Sequence, residues 1–465
     1  MPFTLHDLDA NVTPTLERYC AIPALSPHFD PDWTTSGHLE SALQLLADWV
    51  RSRLPEADVR EERLEGRTPL LWVEVPAHGE TSSDTVVLYG HFDKQPPLGE
   101  WSEGLAPFTP VRRGNRLYAR GAVDDGYATF AAVSALEEVR RSGGTHPRCV
   151  LLIEGSEESG SPDLEAYLDA LAERIGRIDL MICLDSGALS YDRLWVTSSL
   201  RGLVNVDITV RVLERAQHSG TASGVVPSSF RIIRQLLDRV EDATSGEVLL
   251  PEAHCAVPDW VESATRGVAE EFGDVVAQEM PVVEGLELMG RDGADRLVRR
   301  TWKPALSVIG LAGAPEPRQA GNVLRTSTTV TLSLRLPPLA DARAAGEALV
   351  RVLSVDPPSG AEVEVTITSA ASGWAARELP EDLRRILDEA SRDSFGGPLA
   401  LTGEGGTIPF LFQLGQRFPE TPFIATGVLG PESNAHGIDE MLNLEATVNL
   451  INALAHLLSH SGGAQ

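Results

Sequence analysis

Acids and histidines in this sequence gather where apolar, strand-like runs give way to loops. TVVLYG is followed by His91-Phe92-Asp93, CVLLIEG by Ser156-Glu157-Glu158-Ser159-Gly160, and DLMICL by Asp185-Ser186-Gly187. PFIATGVLG leads through Pro431-Glu432-Ser433-Asn434 to His436, and Gly121-Ala122-Val123-Asp124-Asp125-Gly126 stands just ahead of a helical pattern. Taken singly, each has an ordinary explanation. A strand-end acid caps a helix or faces solvent, Asp124-Asp125 suits a helix start, and a lone histidine is most often a surface residue. Ligands of open α/β sheets, however, gather beyond the carboxyl ends of the strands. Five segments delivering an acid or His to one edge therefore describe a candidate metal centre. Two imidazoles with several carboxylates suit borderline cations, Zn²⁺ first, with Mn²⁺ and Co²⁺ as alternatives. A bridging carboxylate can hold two cations about 3.5–4 Å apart, and the pair can polarise a carbonyl and acidify water. Neighbouring side chains diverge, so in Glu157-Glu158 one carboxylate can bind metal while the other takes a proton from water. Asp93 can orient the His91 ring through the nitrogen that does not face the metal.

The elements that must position these residues alternate. Leu39, Leu43, Leu46, Trp49, Val50 and Leu54 recur at helical spacing, and strand-like runs follow at Leu70 to Val75, Thr85 to Tyr89, Cys149 to Ile153 and Leu180 to Leu184. Helices are predicted from about Asp125 to Arg141 and from Asp163 to Arg174 between them. This alternation predicts an α/β domain with a mostly parallel central sheet. From Arg201 the texture changes. VNVDITVRV (Val204 to Val212), TSTTVTLSLRL (Thr326 to Leu336) and AEVEVTIT (Ala361 to Thr368) alternate with period two, and helical patterns cover Phe230 to Val240 and Ala340 to Leu353. That predicts a small antiparallel sheet covered on one side. Stretch 243–300 reads as loop-rich with one or two short helices. Phe423 to Val428 and a helix from Glu445 to Ser459 restore the first pattern. The expected organisation is a domain of residues 1–200 plus 373–465, interrupted by an inserted α+β domain at 201–372.

Composition limits the partners. Sixty-seven acidic residues against 39 Lys and Arg give a net charge of −28, a field that repels nucleic acid and anionic membrane surfaces. Lys94 and Lys303 are the sole lysines; Arg supplies the remaining positive charge. Cys20, Cys149, Cys183 and Cys255 are scattered without CxxC spacing, which argues against a thiolate zinc site. No basic and apolar leader opens the chain, and no run approaches the ~20 apolar residues of a membrane span. A cytoplasmic location is the expectation.

Several longer segments bear a family resemblance. YGHFDKQP (Tyr89 to Pro96), WSEGLAPFTPVRRGNRLYARGAVDDG (Trp101 to Gly126) and IEGSEESGSPDL (Ile153 to Leu164) resemble the M20 metallopeptidases, particularly the carnosinase-like dipeptidases. So do LRG (Leu200 to Gly202), HSG (His218 to Gly220), GEGGTIP (Gly403 to Pro409) and ESNAHGIDE (Glu432 to Glu440), in family order. The resemblance implies a zinc-peptidase-like catalytic domain with an inserted lid and dimerisation domain, a homodimer, two Zn²⁺ per subunit and a small peptide or amide substrate. By position it implies that His91 and Asp185 bind one zinc, that Glu158 and His436 bind the other, and that Asp124 bridges. Glu157 is implied as general base and acid, Asp93 as orienter, and Asp125 as following the bridging residue at a cis peptide. His218 is implied to reach across the dimer to the oxyanion, as an imidazolium can. Asn322, Arg335 and the Gly405-Gly406-Thr407 loop are implied to bind substrate, Arg335 as a fork on its terminal carboxylate.

The predicted reaction is hydrolysis of a dipeptide or similar small amide by a metal-activated water. N-acyl-amino-acid deacylation and carboxypeptidase activity are the alternatives within the family. Lys94, Gly126, Arg325 and Glu404 depart from the usual pattern; they remove no ligand and no base, and they make substrate preference the expected point of divergence.

Overall fold

Continuous apolar runs flanked by helical patterns fold as strands buried on both faces. In the computed structural model every residue of strands Thr85–His91 and Leu180–Cys183 is buried. Residues 2–79, 85–406 and 409–461 are described. They fall into two compact units, Met1–Ser198 with Ala376–Thr402 and Gln413–Gln465, and Ser199–Ala375 with Gly403–Phe412.

The first unit holds a mixed, largely parallel sheet. Arg148–Glu154, Thr85–His91, Leu180–Cys183 and Phe423–Ala425 are parallel neighbours in that order. Antiparallel strands flank them: Asp58–Glu62 and Leu70–Val75 on one side, and Trp195–Leu200 on the other. The register pairs His91 with Glu154, and Tyr89 and Ala425 with Cys183. Parallel direction and matched register thus bring the strand ends to one edge. Helix Leu444–His460, capped by Asn443 accepting from the Ala446 amide at 3.1 Å, packs on Tyr127–Arg141 and Glu381–Phe395. The helix expected from Asp125 begins at Tyr127, because Asp124 (φ −128°, ψ 92°) and Asp125 are non-helical and joined by a cis peptide. The helix expected over Asp163 to Arg174 is divided into Leu164–Ala170 and Ala172–Ile175.

The second unit is built on one antiparallel sheet, ordered Ala305–Ala312, Ser327–Leu336, Gly202–Arg211, Glu362–Ala371. Burial alternates along Gly202–Arg211, whose buried Val204, Val206, Ile208 and Val210 share a core with helices Ser229–Leu237 and Ala342–Ser354. Two features depart from the sequence reading. Ala305–Ala312 was not anticipated: ALSVIGLA has no alternation, because this edge strand leaves Val308, Ile309 and Leu311 exposed. Stretch 243–300 carries helices Asp259–Phe272, Val275–Glu279 and Gly293–Trp302, more than the two short ones expected. Their buried faces are narrow, only Val261, Thr265 and Val268 in the first. Among the described residues no helix is long and apolar enough to cross a membrane.

Candidate metal centre

The first unit gathers all six expected ligand and base positions. His91 ends its strand, Glu157-Glu158 open a single helical turn just past Arg148–Glu154, and Asp185 lies two residues beyond Leu180–Cys183. Gly90 permits this approach: a Cβ there would stand 2.6 Å from Asp125 Oδ2 and 2.9 Å from Ala128 Cβ. Ligand atoms of His91, Asp124 and Glu158 lie within 4.8 Å of one another, as do those of His91, Glu157 and Asp185. His436, which falls in neither triad, closes the set by approaching Asp124 Oδ2 at 2.8 Å and Glu158 Oε2 at 3.3 Å through Nε2.

Asp124 faces both imidazoles, with Oδ1 3.3 Å from His91 Nε2 and Oδ2 toward His436. Asp185 Oδ2 and Glu157 Oε2 lie 3.8 and 4.0 Å from His91 Nε2. Among the described residues, every ion pair formed by Asp124, Glu157 or Glu158 is with one of these two histidines. Several buried carboxylates converging without Lys or Arg in those pairs is an arrangement that cations would stabilise. Buried oxygen ligands with two imidazole nitrogens fit the donor set of a two-zinc site.

The electrostatics of the side chains follow from this crowding. Burial, then the Asp185, Glu158 and Asp93 charges, push the Glu157 carboxyl well above its ordinary value despite His91. Burial and Asp124 likewise raise Glu158. Burial opposes the Asp124 carboxylate too, but hydrogen bonds from His436 and His91 outweigh it and hold Asp124 low. Both imidazoles are raised: burial opposes their charge, and the adjoining carboxylates overcome it. A cation between these groups would replace the imidazolium protons as the neutralising charge.

Asp93 has a wider role than the expected one. His91 Nδ1 lies 3.0 Å from the backbone carbonyl of Asp93 and 3.4 Å from its carboxylate. The carboxylate accepts instead from the amides of Glu157 at 3.1 Å and Glu158 at 3.0 Å. One residue thus orients the His91 ring with its main chain and fixes the Glu157-Glu158 turn with its side chain. Gln95, which the sequence reading passed over although it lies in YGHFDKQP, donates to Glu158 Oε2 at 2.6 Å.

Lys94 requires a correction. The sequence places it among the departures that bear on substrate preference, yet it is fully buried and its ammonium is engaged by main-chain carbonyls. Nζ donates to the carbonyls of Tyr19 at 2.9 Å, Cys20 at 3.2 Å and Ile22 at 2.8 Å, and sits 4.2 Å from the Tyr19 ring centre. It caps the carboxyl end of helix Thr13–Cys20, where a cation complements the helix dipole. Burial pushes the ammonium down to about 8. Gly126 is likewise a packing residue, since a Cβ would stand 2.2 Å from both the Gly121 carbonyl and the Tyr19 ring.

The remaining expected site residues lie in the second unit, in two groups. His218 pairs with Val323 in a short ladder, and the Ser219 amide donates to the Asn322 carbonyl at 2.8 Å, so His218 and Asn322 are neighbours and both exposed. His218 Nδ1 accepts from the Gly220 amide at 3.0 Å. Arg335 is half-buried and in register with Leu203. Arg201 donates through its main chain to the Gly406 carbonyl at 3.0 Å and through Nε to Gly405 at 3.2 Å. Burial, then the Arg335 and Arg300 guanidiniums, lower Arg201 to about 10. Arg201 and Arg300 extend the cationic set beyond the single Arg335 expected; of the two, Arg201 falls within the LRG segment. Thr407 lies outside the described residues. Arg325 and Glu404 are half-buried in this unit.

Comparison with known proteins agrees with this chemistry. The family model described as Peptidase family M20/M25/M40 matches residues 87–460. A cysteinylglycine-S-conjugate dipeptidase of Corynebacterium striatum is 26% identical over 441 residues, covering 93% of each chain. The fold is shared with human carnosine dipeptidase 1 at a TM-score of 0.72 and 20% identity, over 99% of this chain and 98% of that one. It is also shared with an M20 family metallo-carboxypeptidase from Sulfolobus solfataricus at a TM-score of 0.76 and 19% identity, over 97% and 98%.

Proposed function

Because this chain belongs to peptidase family M20/M25/M40, we propose that it is a two-metal dipeptidase acting on dipeptides or similarly small peptides. The observation that carries this reading is the Asp124 carboxylate, whose two oxygens are divided between His91 and His436. A carboxylate within reach of both imidazoles is the group that would hold both ions. His91 and Asp185 would hold one Zn²⁺, Glu158 and His436 the other. When bound, the ions would polarise the scissile carbonyl and acidify a water between them. The similarity to a cysteinylglycine-S-conjugate dipeptidase over 93% of both chains favours a dipeptide over an acylated amino acid.

Glu157 takes the proton of the attacking water and returns it to the leaving amine. Its crowded, buried position raises its proton affinity toward the range in which one carboxyl can do both. Asp93 keeps that carboxyl in place through the Glu157 amide. His218 and Asn322 hold the oxyanion from a second copy of the chain. The Arg335 fork receives the substrate's terminal carboxylate, and the Gly405-Gly406-Thr407 segment belongs to the substrate pocket. A homodimer built through the second unit is supported by the exposed apolar residues of edge strand Ala305–Ala312. Such an edge is a template for pairing with another chain.

The test is Glu157→Ala measured beside the parent on a panel of dipeptides, tripeptides and N-acyl amino acids. The parent should favour dipeptides, and the variant should keep two metals per chain while kcat falls about 10²–10⁴-fold. Near-parent turnover in the metal-loaded variant would remove Glu157 from this role. Preference for N-acyl amino acids would remove the dipeptidase assignment.

A further inference from the structure

Arg120 and Glu440 are fully buried, 1% and 0% exposed, and paired at 2.6 Å between Nη1 and Oε2. The contacts around this pair reach both sides of the metal centre. Arg120 Nη2 donates to the Gly437 carbonyl at 2.7 Å, next to His436. Glu440 Oε1 accepts from the Val123 amide at 3.2 Å, next to Asp124, and its carbonyl accepts from the Ala119 amide at 3.1 Å. A guanidinium and a carboxylate therefore join the turn presenting the bridging carboxylate to the loop presenting the second imidazole.

That loop needs such a constraint. Glu432, Asn434, His436 and Asp439 all have left-handed backbone, with φ of 66°, 50°, 62° and 56°. Non-glycine residues adopt that region reluctantly and hold it where surrounding contacts over-determine it. The His436 side chain is itself half exposed, whereas His91 is enclosed by its strand and by Asp93. Packing therefore fixes the His91 side of the centre, while hydrogen bonding through the Arg120–Glu440 pair fixes the His436 side.

We propose that Arg120 and Glu440 are positioning residues for one half of the metal centre, setting the separation of Asp124 from His436 and so the affinity of the Glu158–His436 ion in particular. The inference rests on the two-metal reading above. Removing groups that orient metal ligands characteristically lowers affinity about 10–100-fold. Here the loss should fall on one ion of the two. Lys at position 120 keeps the charge without the fork that spans Glu440 and Gly437, and Gln at 440 keeps the shape without the charge.

Full-length protein stripped with a chelator would be titrated with Co²⁺, following calorimetry and cobalt absorption. Arg120→Lys and Glu440→Gln should each weaken one Co²⁺ site about 10–100-fold, leaving the other within about threefold and its absorption band unchanged. Arg120→Met should do the same more strongly. Equal loss at both sites, or parent-like affinity at both in either conservative variant, would overturn the proposal. If the parent takes up fewer than two Co²⁺ per chain, the two-metal reading itself fails, and this result is distinguishable from variants that merely behave like the parent.

Discussion

His91 and Asp124 in the first unit are 1% and 6% exposed, while His218 and Asn322 in the second lie at the surface. In the first unit Asp93 is held by two main-chain amides, Asp124 by two imidazoles, and Glu158 by Gln95 and His436. In the second, His218 has its own Gly220 amide as a partner, and the edge strand of the four-stranded sheet turns Val308, Ile309 and Leu311 to solvent. The difference is the one that the proposed roles would require. A metal centre is pre-organised by neighbours that cost nothing to bring together at binding, whereas groups that meet a substrate or a second chain stay accessible until the encounter.

After Glu157→Ala, the largest effect should come from the second unit in spite of its exposure. His218→Ala is expected to lower kcat about 10²–10³-fold, the loss typical of an oxyanion donor, with two metals retained. Mixing that chain with an Asp124→Ala chain should restore activity at one site per mixed dimer. Verified mixed dimers that stay inactive would show that His218 does not serve a neighbouring copy.

Lys94→Met separates packing from specificity. Leaving the carbonyls of Tyr19, Cys20 and Ile22 without their donor should destabilise the chain by about 1–3 kcal/mol, read by denaturant titration. Ratios of kcat/KM across a dipeptide panel should stay constant. A changed ratio with unchanged stability would return Lys94 to substrate binding.

Ile309→Arg tests the exposed edge. A charge there should shift the chain toward monomer in sedimentation by at least about tenfold in dissociation constant, equivalent to about 1.4 kcal/mol. An unchanged distribution would place the contact between copies elsewhere.

A pH-dependent effect belongs deep in the first unit. Glu154 is buried, hydrogen-bonded by Tyr89 and, at 2.8 Å, by Ser161, and burial raises its carboxyl to about 7. The folded chain then binds this proton more tightly than the unfolded chain, so Glu154's contribution to stability is present below the unfolded value of about 4.3 and is lost as pH rises toward 7. Relative to the parent, Glu154→Gln should gain thermal stability between pH 5 and 8. Parallel melting curves across that range would show that Glu154 does not titrate there.

The cluster of acids and histidines was legible in the sequence because a parallel sheet delivers its strand ends to one edge. An acid or His just past each apolar run, at His91, Glu157-Glu158 and Asp185, is therefore a spatial cluster before any coordinate is known. The alternating strands of the second unit were legible for a similar reason, since period two records one buried face. Local pattern says nothing about contacts between segments hundreds of residues apart. Only the tertiary structure pairs Arg120 with Glu440 across 320 positions, divides the Asp124 oxygens between two imidazoles, and turns Lys94 inward onto a helix end. Edge strand Ala305–Ala312 escaped detection because neither of its faces is buried in the way that creates a period. Sequence thus determined which chemistry this chain carries, because residue type and strand direction are local properties. Tertiary structure decided which groups aim that chemistry and which only pack, because both depend on distant segments meeting.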